Sequence, residues 1–288
     1  MKNKYKIWAL SFAMIATGCT SSFDEINTDP DAYTQVPFTN MLGNIIRRTA
    51  DQYGGDLDIA QWAGYVSEIQ YLNDYSGYIP SNNTYGNRWY QSYYGHVQLQ
   101  DILDRTEDAQ EANKNMRNVC ITLQNYLMVM CTDCFGDIPY SEAFKGAPEA
   151  GSVLKTPYDA QSEIYPKILA NLKTAADSWA SGVGTDDLGD GDFLYKKDAE
   201  KWQKFCNSLR LRIAMRISGV YPEAQAVVEE IFGNPTAYPY ITECADNAYF
   251  WCQGSGSYFE RYYKNFRTRE DDGMSSIFID HIKNMYYP

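Results

Sequence analysis

Histidine is almost missing from this 288-residue chain, which has only His96 and His281. A histidine-based hydrolase triad or zinc site therefore has few ways to form. Basic residues are also scarce: 25 Lys and Arg face 37 Asp and Glu, a formal net charge of −12. Nucleic-acid binding needs basic surface that displaces counterions, so the balance argues against that partner. After the leader described next, no apolar run approaches the roughly 20 residues that a membrane-spanning helix needs.

The chain opens MKNKYKIWALSFAMIATGC. Lys2, Lys4 and Lys6 make a short basic region, residues 7–16 are apolar apart from Ser11, and Thr17-Gly18-Cys19 supplies small residues around a cleavable bond. This pattern predicts a lipoprotein signal peptide at 1–18, a lipid on Cys19, a polar tether over 19–33 and a domain over 34–288. Losing the three lysines would take 25 basic residues to 22 against 37 acidic ones, a net of −15. Two or three acyl chains, at roughly 0.8 kcal/mol per buried methylene, make such an anchor effectively permanent.

The periodicity beyond the tether is mainly helical. Helices are predicted over 38–53, 57–71, 87–111, 115–134, from Thr156-Pro157 to about Trp179, over 199–218, 222–232 and 275–285. In the fourth, Met116, Val119, Cys120, Leu123, Leu127, Met130, Cys131 and Cys134 make one apolar stripe. In the 199–218 helix Trp202, Phe205, Cys206, Leu209, Ile213 and Ile217 face inward, with Arg210, Arg212 and Arg216 off that line. Residues 181–192 read as a Gly/Asp-rich loop, and 238–266 as aromatic and irregular. The abrupt end after the last helix, at Tyr286-Tyr287-Pro288, suggests a truncated reading frame or a fragment.

Four segments resemble the SusD/RagB family of nutrient-binding outer-membrane lipoproteins, and its SusD-like second branch in particular: FDEINTDPDAY (23–33), RWYQSYYGHVQLQDIL (88–103), TDCFGDIPYSEA (132–143) and DFLYKKDAEKWQKFCNSLRLRIAMRIS (192–218). With FRTREDDGMSSIFIDHIKNM (266–285) the resemblance covers essentially the whole chain. It implies an all-α fold of tetratricopeptide-like helix pairs, with irregular aromatic-rich loops holding the ligand. It also implies binding rather than catalysis. The expected role is capture of oligosaccharides, or of peptides in some members, for a SusC-like TonB-dependent transporter. Family members are typically much longer.

Sugar binding suits the aromatic loops. A pyranose has an apolar C–H face that stacks on Tyr or Trp, and hydroxyls that bond to polar side chains. The candidates are Asn73, Asp74, Tyr75, Tyr78 and Tyr85 in one loop, and Trp251, Gln253 and Tyr258 in a second. Trp89 and Trp202 are assigned to the core. Other chemistry is weaker. Asp133, Asp137 and Glu142 lie along a turn as glycosidase carboxylates do in space, but Gly136-Asp137-Ile138-Pro139 reads as a helix stop whose Asp137 bonds backbone amides. Cys131 and Cys134 have zinc spacing without a second ligand pair. Asp186, Asp187, Asp190 and Asp192 lack EF-hand spacing and read as a solvated loop. The six cysteines after Cys19 are expected to be mostly free, buried thiols. No cofactor, metal or catalytic residue is predicted. The alternatives to nutrient capture are a scaffold with no ligand of its own and, less favoured, a surface hydrolase.

Overall fold

The helical periodicity is realised as eight α-helices among the residues that a computed structural model describes: 35–54, 57–70, 78–79, 82–146, 155–252, 260, 263 and 266–286. The signal peptide, Cys19 and the tether lie outside them. Residues 38–288 form one unit by contact.

The helices are α1 (Phe38–Thr49), α2 (Leu57–Trp62), α3 (Asn82–Arg105), α4 (Lys114–Phe135), α5 (Gln161–Ala180), α6 (Ala199–Ile217), α7 (Ala224–Gly233) and α8 (Ser276–Tyr286). From α3 to α7 each helix packs chiefly on the next. The pairs run antiparallel: Arg117 reaches the Leu103 carbonyl while Gln124 reaches that of His96. Likewise Asn118 meets Ser178 and Asn125 meets Asn171. This is the expected order of stacked helix pairs.

α4 sits at the centre and is buried nearly all round. The predicted stripe was too narrow: Asn118, Thr122, Gln124 and Asn125 are also buried, while Cys134 is exposed. Those polar groups are paired, for example Thr122 Oγ1 to the Asn118 carbonyl at 2.7 Å and Gln124 Nε2 to Gln100 Oε1 at 3.0 Å. Burial without partners would have cost about 1–3 kcal/mol each. α3 approaches α4 closely because residue 95 is glycine; a Cβ there would stand 2.5 Å from Leu127 Cδ1.

Several boundaries differ from the sequence reading. α2 stops at Trp62, where helix was expected to 71. The Gly64 amide bonds the Gln61 carbonyl and the Tyr65 amide that of Ala60, with Gly64 at φ +75°. That double closure around a left-handed glycine ends a helix. The chain then forms β1 (Val66–Glu68), which pairs antiparallel with β2 (Asp272–Met274). α3 begins at Asn82 rather than 87 and ends at Arg105, followed by two 3-10 turns. α1 ends at Thr49 and passes into a π-helical turn, Ala50–Gly54.

α5 starts at Gln161, not at Pro157. Residues before it are held extended, because the Asp159 amide bonds the Ile138 carbonyl at 2.9 Å. Arg210, expected off the buried face of α6, is only 1% exposed. The six cysteines are free, but only Cys120, Cys131 and Cys206 are buried.

The Gly/Asp-rich loop is not simply solvated. Asp186 accepts the Asn115 and Met116 amides, both at 2.9 Å, at the start of α4. Asp192 is 2% exposed. Among the described residues no helix is long and apolar enough to cross a membrane.

A candidate aromatic binding site

On α3, Tyr85, Trp89, Tyr93 and His96 follow i, i+4, i+8, i+11 spacing and so share one face. Rings from four other segments meet them. Trp62, closing α2, lies 6.5 Å from Tyr85. Phe135, closing α4, lies 6.3 Å from Tyr85 and 5.2 Å from Trp89, edge-on to both. Tyr158 is tilted 32° to Trp89 at 6.2 Å. Phe144 lies 5.7 Å from Tyr93 and stacks flat on His96 at 4.3 Å. The result is a ladder of rings along α3, about 16 Å from first to last rung at 1.5 Å rise per residue.

The outer rings face solvent: Tyr85 is 43% and Tyr158 64% exposed. Of the deeper rings, Tyr93 is fixed by a polar bond, donating to the Pro139 carbonyl at 2.6 Å. Burial holds the Tyr93 hydroxyl protonated far above its ordinary range. It also lowers the His96 pKa to about 4, so that ring is neutral near pH 7. The ladder is therefore an uncharged, flat-faced surface with hydroxyl edges, chemistry that fits a pyranose face better than an ion.

Two of the sequence candidates converge here. Tyr85 is a rung, and Tyr78, 68% exposed, donates its hydroxyl to the Trp62 carbonyl at 3.4 Å. Trp251 is elsewhere, 75% exposed beside Tyr249; among the described residues no ring contact or hydrogen bond joins it to Tyr78 or Tyr85. It borders a pocket of about 560 Å³ with Phe193, Phe250 and Lys196. Asn73, Asp74, Tyr75, Gln253 and Tyr258 lie outside the described residues. Trp89, assigned to the core, is half-buried and central to the ladder; Trp202 is fully buried as expected. Trp62, Phe135 and Tyr158 escaped sequence reasoning. The last two sit beside turn segments that only the tertiary fold brings to α3.

The turn carboxylates are engaged separately. Asp133 pairs with Arg216 at 2.9 Å and Glu142 with Lys145 at 2.9 Å. Asp137 does bond a backbone amide, but that of Gln161 at the start of α5, at 2.8 Å. The amides of the turn itself, at Tyr140 and Ser141, go to Asp159 at 3.0 and 2.9 Å. Among the described residues no group of His, Cys, Asp or Glu is arranged to hold a metal.

Burial opposes ionisation of Asp159, but bonds from Ser141, Tyr140 and Lys167 outweigh it and hold the carboxyl below the usual carboxylate range. A lowered folded value stabilises the chain above the unfolded pKa of about 3.9, and the contribution is lost as pH falls through the folded value. Replacing Asp159 by Asn should therefore shallow the acid limb of a stability-versus-pH curve measured by urea unfolding. An unchanged limb would contradict this.

The SusD-like family model described as starch-binding, associating with the outer membrane, matches residues 30–288. The chain belongs to the SusD-like family. Solved structures agree on the fold. A SusD/RagB family protein from Bacteroides thetaiotaomicron superposes with a TM-score of 0.68 at 24% identity, over 84% of this chain and 50% of its own. A chitin-binding protein gives 0.69 at 24% identity, over 88% and 53%. A SusD homologue from Bacteroides fragilis gives 0.64 at 21% identity, over 86% and 50%. This SusD-like chain thus spans about half the length of the structures it matches. No curated protein matches its sequence. SusD-like proteins are binding proteins rather than enzymes, and the family is associated with the outer membrane.

Proposed function

We propose that this SusD-like chain captures a neutral glycan on the α3 ring ladder and passes it to a SusC-like TonB-dependent transporter. A lipid on Cys19 holds it to the outer membrane at the cell surface, and residues 19–33 act as a leash. The observation that carries the reading is the run of ring faces from Trp62 and Tyr85 to Tyr158, uncharged and open to solvent at its outer rungs. The family description, starch-binding and associating with the outer membrane, supports it. Selectivity then comes from ring placement rather than charge.

The test is calorimetric binding of maltoheptaose and chitohexaose to the full chain in detergent. Tyr85→Ala and Tyr158→Ala should each weaken binding of the glycan that is bound, by roughly three- to tenfold for one stacking contact. Affinities unchanged in both variants would remove the ladder from the ligand site.

A further inference from the structure

A pocket lies beside Trp251, and its lining differs in chemistry from the ladder. Phe193 and Phe250 meet edge-on at 6.2 Å in its wall, and Trp251 offers a face that is 75% exposed. Its volume of about 560 Å³ is in the range of small-ligand pockets.

Its charges are unevenly spent. Asp192 lines the pocket but is committed to the Leu194, Tyr195 and Lys197 amides and to Trp202 Nε1. Asp190 pairs with Lys197 at 3.0 Å. That leaves Lys196, whose ammonium has no partner among the described residues. The backbone is set up to place it: Lys196 and Lys197 are consecutive left-handed residues, at φ +52° and +77°. Non-glycine residues persist in that conformation only where their surroundings impose it. Here the Asp192 carboxylate and carbonyl do so, the carbonyl accepting the Lys196 amide at 3.1 Å. An aromatic wall beside one unspent cation suits a ring that carries a negative charge.

We infer that this pocket binds an anionic sugar unit, with the pyranose face on Trp251 and its carboxylate or sulfate on Lys196. The site goes beyond neutral-glycan capture and does not depend on it. In a chain of net charge −12, a polyanion is repelled at long range. Attraction to one lysine must then act at contact.

The experiment titrates the full chain in detergent with tetragalacturonate, a sulfated chondroitin tetrasaccharide and maltotetraose at low salt. A carboxylate ligand is indicated by preference for the first and a sulfate ligand by preference for the second. Lys196→Gln should weaken the preferred anionic probe about tenfold, the size of one charge-assisted hydrogen bond. Trp251→Ala should weaken it at least as much. Circular dichroism of each variant confirms the fold, and Lys196→Arg, which keeps the charge, should retain most of the affinity. Failure of both anionic probes to bind, or equal affinity in wild type and Lys196→Gln, overturns the inference. Loss of maltoheptaose binding alone would bear on the ladder and not on this pocket.

Discussion

Replacing Glu230 by alanine is expected to cost the fold about 3–5 kcal/mol, because it strands a buried cation. The Arg210 side chain is 1% exposed, and its Nη2 lies 2.5 Å from Glu230. Its other contacts are weaker: Nη1 to Asn207 Oδ1 at 3.2 Å, and the face of Tyr238 at 5.4 Å. Glu230 also takes Lys173 at 2.7 Å, but Lys173 keeps Asp177 at 2.8 Å when Glu230 is removed. The loss therefore falls on Arg210. Urea unfolding should show a much lower midpoint with little change in slope. Changing Arg210 to Met together with Glu230 to Leu should recover most of the stability, since replacing both partners leaves no unpaired charge. A cost below about 1 kcal/mol for the single change would match an exposed pair instead. Burial raises the Glu230 pKa, but bonds from Lys173 and Arg210 outweigh it and bring it below the ordinary value. The pair thus stabilises above the unfolded pKa of about 4.3 and weakens as pH falls through the lowered folded value.

Arg210 marks where the sequence stopped being informative. The stripe of Trp202, Cys206, Leu209, Ile213 and Ile217 was legible because helical spacing alone places it on one face. Arg210 also lies inward, since α7 brings Glu230 over it, and no local pattern encodes that meeting. The same holds for β1. Its partner β2 lies about two hundred residues on, and neither three-residue strand has a period long enough to read. The end of α2 was readable, because Gly64 stood where a left-handed cap belongs, but the apolar residues after it masked the signal.

The proposed ligand surface shows the same division. Aromatic richness near Tyr78, Tyr85 and Trp251 was visible, but composition does not say which rings share a face. Spacing along α3 does align Tyr85 with Trp89 and Tyr93; the buried reading of Trp89 hid that alignment. Phe135 and Tyr158 join through the helix stop at Gly136 and the extended stretch before α5. Those are tertiary facts, fixed by Asp137 and Asp159 bonding amides across the turn.

Asp192→Ala should be as damaging as the loss of Glu230, about 3–5 kcal/mol, although the residue sits in a loop rich in glycine. One carboxylate there holds four N–H groups. Oδ1 takes the Leu194 and Tyr195 amides at 3.2 and 3.1 Å; Oδ2 takes the Lys197 amide and Trp202 Nε1, each at 2.9 Å. Trp202 is fully buried, so its indole N–H would lose its partner away from water. The neighbouring backbone cannot shift to compensate. A Cβ on Gly191 would stand 1.7 Å from the Thr39 carbonyl oxygen, so the loop is already pressed against α1. Asp192→Asn should fall between wild type and alanine. It keeps one acceptor oxygen but turns an NH₂ group toward N–H donors. The left-handed Lys196 and Lys197 depend on the same anchor, so the alanine variant should also lose the anionic-sugar affinity assigned to Lys196. Urea unfolding followed by tryptophan fluorescence, with tetragalacturonate titration of the folded fraction, separates the two effects. Wild-type stability in Asp192→Ala would show that the loop holds itself without the carboxylate.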